Sequence, residues 1–148
     1  MIRKDLYQVF LLTAPATPWV FAQHPWFVVN KKGDVSRWEV VAISRDRYAH
    51  WGHIHKDILP PFQGIGMLLP LSKPSWNATL AGMLEGDEDS PAHRMITFIE
   101  ASAYSYPHRE RYWLLGPNSN TYVQRILDQF PESGMRLPWN AIGKGYRA

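Results

Sequence analysis

The chain has 148 residues, enough for one domain with its own apolar core, and its 45% hydrophobic and 20% charged content is that of an ordinary globular protein. It contains no cysteine, which excludes disulfides, thiolate metal sites and a cysteine nucleophile. The net charge of +3 permits an acidic partner without requiring one.

Met1 to Thr13 begins basic and turns apolar, but Asp5 and Gln8 interrupt it and no clean cleavage site follows. It reads as a first strand rather than a signal peptide. No apolar run approaches the roughly 20 residues of a membrane span, and the expected compartment is the cytoplasm. Leu6 to Thr13 is nearly all apolar and rich in strand formers, so a buried strand is predicted, ended by Pro15 and Pro18. Gln23 to Asn30 and Arg37 to Ser44 read as two more strands, joined as a hairpin by the polar turn from Lys31 to Asp34. A short strand is expected within Tyr48 to His55.

Leu59 to Pro74 combines four prolines and two glycines with Ile65, Met67, Leu68 and Leu69, the pattern of an ordered apolar loop over a cleft. Trp76 to Leu84 is predicted as a short helix capped by Ser75, followed by an acidic turn from Gly86 to Asp89. Ser90-Pro91 is a strong helix start, and Met95, Ile96, Ile99 and Ala103 form one apolar face of a helix running to about Ala103. Arg111 to Leu115 reads as a short strand or an extended lead-in. A last helix is predicted from Asn120 to Phe130, with Val123, Ile126, Leu127 and Phe130 on one face, and the tail from Leu137 to Tyr146 is expected to pack back. The fold class is α+β: one domain over residues 1–148, with an antiparallel sheet from the N-terminal half against a few helices.

Three places carry candidate chemistry. Residues 116–122, G-P-N-S-N-T-Y, set the Ser119 hydroxyl between two carboxamides, Asn118 and Asn120, at a helix N-terminus, where backbone N–H groups and the helix dipole favour negative charge. The same residue types are also favoured as helix caps. His24 opens the second strand and is placed to face a cleft as a general base, or to sit partly buried against a carbonyl. His53 and His55 alternate by two and share a strand face near Asp57, but no H-E-x-x-H helix or thiolate accompanies them. A pocket-lining or structural role is expected for them, with no metal and no cofactor. Lys and Arg residues are scattered over predicted turns, so no nucleic-acid partner is expected.

Ala22 to Val28 (A-Q-H-P-W-F-V), Arg37 to Val40 (R-W-E-V), Tyr112 to Tyr122 (Y-W-L-L-G-P-N-S-N-T-Y) and Leu137 to Tyr146 (L-P-W-N-A-I-G-K-G-Y) together resemble an uncharacterised bacterial family, a domain of unknown function. More distantly, the order strand histidine, hairpin, helix, then N-x-N at a helix start is similar to the circularly permuted papain-like superfamily, which includes cell-wall amidase and lecithin–retinol acyltransferase relatives. That resemblance implies Ser119 at the cysteine position, Asn118 and Asn120 flanking it, Tyr112 as the upstream tyrosine and His24 as base. Glu39 and His53, on predicted neighbouring strands, are candidates for the third group.

The implied function is hydrolysis or transfer of an acyl group on an amide or ester, with Ser119 as nucleophile, His24 as general base and the N–H groups of Ser119 and Asn120 as oxyanion hole. The alternative is a non-catalytic domain that binds a small acidic ligand at the helix N-terminus, with Trp26 among the rings lining its pocket. A third reading makes the apolar loop and the Trp-rich tail a homodimer surface.

Overall fold

A computed structural model describes residues 1–16, 22–44, 51–65 and 78–147. Its described elements are strands β1 (Tyr7–Pro15), β2 (Gln23–Lys31), β3 (Asp34–Val40), β4 (Ile54–Lys56) and β5 (Thr79–Gly86), then helices α1 (Pro91–Ser105) and α2 (Ser119–Gln129). The strands form one sheet in the order β4-β3-β2-β1-β5, and every pair is antiparallel. The α+β class expected from the sequence is observed, with two helices covering one face.

β1 and β2 are buried on both sides, which is why their sequences are continuous apolar runs rather than alternating ones. β2 and β3 turn through Lys32 and Gly33, both at positive φ (54° and 103°), the two-residue geometry that matches strand twist. On one face Val9, Leu11, Phe27, Val29 and Trp38 meet Met95, Ile96 and Ile99 of α1 and Tyr122, Val123 and Ile126 of α2. Each such side chain contributes roughly 1.5–3 kcal/mol through burial. Ser90 caps α1 by accepting from the His93 N–H at 3.2 Å, and Pro91 fills the first helical position. The two helices are tied by a buried Ser102 Oγ–Tyr122 OH hydrogen bond of 2.8 Å.

Phe10, Leu12, Ala14, Trp26 and Val28 point to the opposite face, where no helix lies among the described residues. There the segment from Asp57 to Ile65 covers the sheet, held by Trp26 Nε1 donating to the Pro61 carbonyl at 2.9 Å.

Two expected elements differ. Thr79–Gly86 is a strand, not the end of a helix. Leu, Ala, Met and Glu favour helix, but the open edge of β1 offers a ladder of hydrogen bonds, and that tertiary pairing overrides weak propensity. Gly82 faces Met135 so closely that a Cβ would fall 2.6 Å from Met135 Cγ, so a larger residue at this strand position would have to displace the Met135 side chain. Of the two readings of Arg111 to Leu115, a strand or a lead-in, the strand does not form; Trp113 N–H donates to the Pro117 carbonyl at 2.8 Å, and the segment leads into the helix start as a loop. Smaller shifts are that β1 continues through Pro15 and β3 stops at Val40. Pro18, His50, the Met67–Pro74 part of the apolar loop and the Ser75 cap lie outside the described residues.

Candidate functional site

α2 begins one residue earlier than expected, and its cap is Asn118, not Ser119. The Asn118 Oδ1 accepts from the N–H groups of Asn120 at 3.0 Å and Thr121 at 3.2 Å, while Thr121 Oγ1 accepts from the Asn118 N–H at 3.1 Å. This reciprocal arrangement satisfies the helix start completely enough that Ser119 has no capping duty. The tail folds back to complete it. Asn118 Nδ2 donates to the carbonyls of Leu114 (2.8 Å) and Ile142 (3.1 Å). Asn120 Nδ2 donates to Gln23 (2.9 Å) and Ile142 (2.8 Å), and Thr121 Oγ1 to Gly143 (2.8 Å). Gly143 has φ 93°, and a Cβ there would strike the Asn118 carboxamide at 2.4 Å, so this close approach requires glycine. The two C-terminal sequence motifs are therefore one physical unit, a capped helix end and its buckle.

Asn118, Ser119 and Asn120 are all buried. With both duties assigned, Ser119 hydroxyl chemistry is left to Tyr112. Burial pushes the pKa of the Tyr112 phenol above the ordinary tyrosine value, and a hydrogen bond from Ser119 partly opposes that rise. The expected oxyanion pair needs correction: the Asn120 N–H is taken by the Asn118 cap, leaving the Ser119 N–H without a hydrogen bond among the described residues. The Asn120 Oδ1 is also buried without a partner among the described residues, an acceptor open to an N–H or O–H group.

His24 lies at the start of β2, where Asn120 is fastened to the preceding Gln23 carbonyl. Its Nε2 meets Glu39 Oε2 of β3 at 2.7 Å. Glu39 is 1% exposed and is gripped from its other side by Arg37, whose Nε and Nη2 donate to its two oxygens at 2.6 and 3.1 Å. Arg37 is itself fully buried. Its Nη1 donates to the carbonyls of Pro60 (3.0 Å) and Gln63 (2.5 Å), and its guanidinium stacks 4.1 Å from the Trp26 ring centroid. One guanidinium thus neutralises the carboxylate and pins the covering loop. Desolvation by burial pushes the Glu39 pKa up, but the bonds and charges of His24 and Arg37 outweigh it and hold the carboxyl below the usual carboxylate range.

A cavity of about 420 Å³ opens onto this pair. Its polar wall is His24, Glu39 and Tyr112; Val41, Ile43, Ile58, Leu59 and Ile65 line much of the rest. A few convergent polar groups in an apolar cleft is the usual make-up of a small-molecule site. Tyr112 also borders a second cavity with His53, Trp113 and Pro117. His53 is held there by Nδ1 bonding the Val41 carbonyl at 2.9 Å, its ring 5.6 Å from that of Tyr112.

The structure therefore gathers His24 and Tyr112 at one cavity, and Tyr112 in turn meets Ser119 through a hydrogen bond and the His53 ring at 5.6 Å. Among the described residues no hydrogen bond joins Ser119 to His24. Trp26 is fully buried beneath the site, 6.1 Å from the His24 ring, and supports it without lining the cavity. His55 is buried with Nε2 against the Ile43 carbonyl at 2.6 Å, and among the described residues no cluster of three His, Asp or Glu side chains is placed to hold a metal ion. Sequence reasoning passed over Arg37. The available signal was R-x-E on a predicted strand, two charges on one face between apolar neighbours.

A family profile described as a protein of unknown function (DUF3750) matches residues 6–146, and the chain belongs to that family. Comparison with curated proteins and with solved structures found no match.

Proposed function

We propose that this chain hydrolyses or transfers an acyl group carried on an ester or amide, with the apolar cavity holding the acyl part. The observation that carries the reading is the buried His24–Glu39 pair of 2.7 Å facing that cavity. With Nε2–H donated to Glu39, Nδ1 is the basic nitrogen, and among the described residues no hydrogen bond engages it. Glu39, kept ionised by Arg37, orients the ring and stabilises the imidazolium formed when Nδ1 takes a proton.

In this mechanism Ser119 Oγ attacks the carbonyl carbon as its proton passes to His24, and the oxyanion takes a hydrogen bond from the Ser119 N–H. The imidazolium then protonates the leaving alcohol or amine, and water or an acceptor alcohol or amine releases the acyl group by the reverse path. The mechanism requires the Ser119 hydroxyl to leave its contact with Tyr112 and turn to His24, a change of side-chain rotamer. The order of histidine, neighbouring carboxylate and helix-start hydroxyl is what a permuted papain-like arrangement with serine for cysteine requires, and that likeness forms part of the proposal. A fluorophosphonate probe and a series of p-nitrophenyl esters test it. Wild type should label and turn over, while Ser119→Ala and His24→Ala should do neither. Labelling that persists in Ser119→Ala removes serine as nucleophile.

The second reading, a pocket that binds without turnover, is favoured by the separation of Ser119 from His24. It predicts saturable binding of short fatty acids, weakened by His24→Ala and unchanged by Ser119→Ala, with no labelling of any form.

A further inference from the structure

We propose that the loop at residues 113–115 and the turn at residue 139 dock this protein onto an anionic lipid bilayer. Trp113, Leu114 and Leu115 are 67%, 58% and 76% exposed, and Trp139 is 90% exposed. Single exposed apolar side chains are ordinary, but these four are brought to one end of the molecule. Asn118 Nδ2 holds the Leu114 and Ile142 carbonyls at 2.8 and 3.1 Å, so both loops hang from one nitrogen. Trp139 sits three residues before Ile142, in a turn closed by Ala141 N–H donating to the Pro138 carbonyl at 3.2 Å.

Charge identifies the occupant. Residues 134–147 contain Arg136, Lys144 and Arg147 and no carboxylate; residues 108–118 contain Arg109 and Arg111 against Glu110 alone. Five cations against Glu110 and Asp128, the latter paired with Arg147, give +3, equal to the +3 of the whole chain, so the rest of the chain is neutral on balance and the net positive charge lies around this patch. Arg109 and Arg147 lean on Glu110 and Asp128 at 3.5 and 3.6 Å. Arg111 and Arg136 are exposed and have no ion pair among the described residues.

A second copy meeting this face symmetrically would set these cations against themselves. A nucleic acid would stack on the indoles but find no use for Leu114 and Leu115. A bilayer uses all of them: indoles at headgroup depth, leucines below, and Arg and Lys on anionic headgroups. Tyr112, the residue before Trp113, lines both cavities, so docking would bring the lipid surface against the cavity wall. The docking stands on its own observations and holds whether or not the cavity is catalytic.

The test is co-sedimentation with phosphatidylcholine vesicles, with and without about one-third phosphatidylglycerol, at rising salt. Wild type should pellet with the anionic vesicles, release as salt rises and stay in solution with neutral ones. Leu115→Ser/Trp139→Ser should abolish pelleting with an unchanged melting temperature, and Arg111→Glu and Arg136→Glu should each weaken binding about fivefold or more. Wild type remaining in the supernatant, or binding undiminished in the double serine variant, overturns the proposal. So does a dimer in sedimentation velocity that the double variant dissolves.

Discussion

On one face of the sheet Val9, Leu11, Phe27, Val29 and Trp38 meet two helices, and the buried polar groups there are uncharged, hydroxyls such as those of Ser102 and Tyr122 and the carboxamides of Asn118 and Asn120. On the other face His24, Arg37, Glu39 and His55 are as deeply buried, under a loop instead of a helix. Gln8 and Asn30 share that face, bonded to each other at 2.8 Å. The helix face is what a fold needs to be stable. The loop face removes two full charges from water, and a well-packed apolar set is often as stable or more so. Its polar content is better explained by what the cavity has to do than by what the fold has to withstand.

The largest expected effect tests that contrast directly. Arg37→Leu leaves Glu39 buried and unpaired and releases the Pro60 and Gln63 carbonyls, and should cost about 3–5 kcal/mol in urea unfolding. Arg37→Leu/Glu39→Leu should recover much of that loss while leaving the His24 ring without its orienting carboxylate. On the helix face Ile99→Ala should cost about 2–4 kcal/mol, with no rescue of this kind available. A double variant no more stable than Arg37→Leu alone would mean that the charges are structural after all.

The cap comes next in size. Asn118→Ala should lose about 1–2 kcal/mol, and more if the tail detaches with it. Asn118→Asp keeps the acceptor for the helix N–H groups but not the donor to Leu114 and Ile142. Thermal melting should then fall less than in Asn118→Ala, while proteolysis at residues 137–146 rises in both.

The pH response should be the smallest and the most specific. Glu39 has a folded pKa below its unfolded one, so its contribution is fully present above the unfolded carboxylate value and is lost as pH falls through the folded value. Stability should be flat from neutral pH down to about 5 and decline below about 4. The slope of that decline should be shallower in Glu39→Gln, measured by urea midpoints across the range.

Much of the frame was legible in the chain. β1 to β3 announce themselves through runs such as V-F-L-L and W-F-V-V, and both helices through caps and spacing at i, i+3, i+4. β5 was not, because its residues state a helical preference that only the unpaired edge of β1 reverses. The site was legible in part. Ser119 and its carboxamide neighbours stand out in any reading, yet their division of labour, with Asn118 as cap and Ser119 free, depends on which φ/ψ values residue 118 adopts. The bond between His24 and Glu39 was hidden more deeply. It follows from the pairing of Phe27 with Trp38, which sets residues fifteen apart as diagonal neighbours. A shift of one residue would turn Glu39 to the helices. Neighbouring predicted strands make Glu39 and His53 equal candidates for the partner of His24, and only tertiary register decides between them.

The buckle at Asn118 also sets an order of events. As the chain leaves the ribosome, the sheet and α1 can form from residues already present, but α2 cannot be fully fastened until Ile142 and Gly143 have emerged to receive their bonds from Asn118, Asn120 and Thr121. The hydroxyl of Ser119 is therefore fixed in its place only after the cavity walls on β2 and β3 have been made, so a nascent chain would carry an unfinished site until residue 143 has emerged.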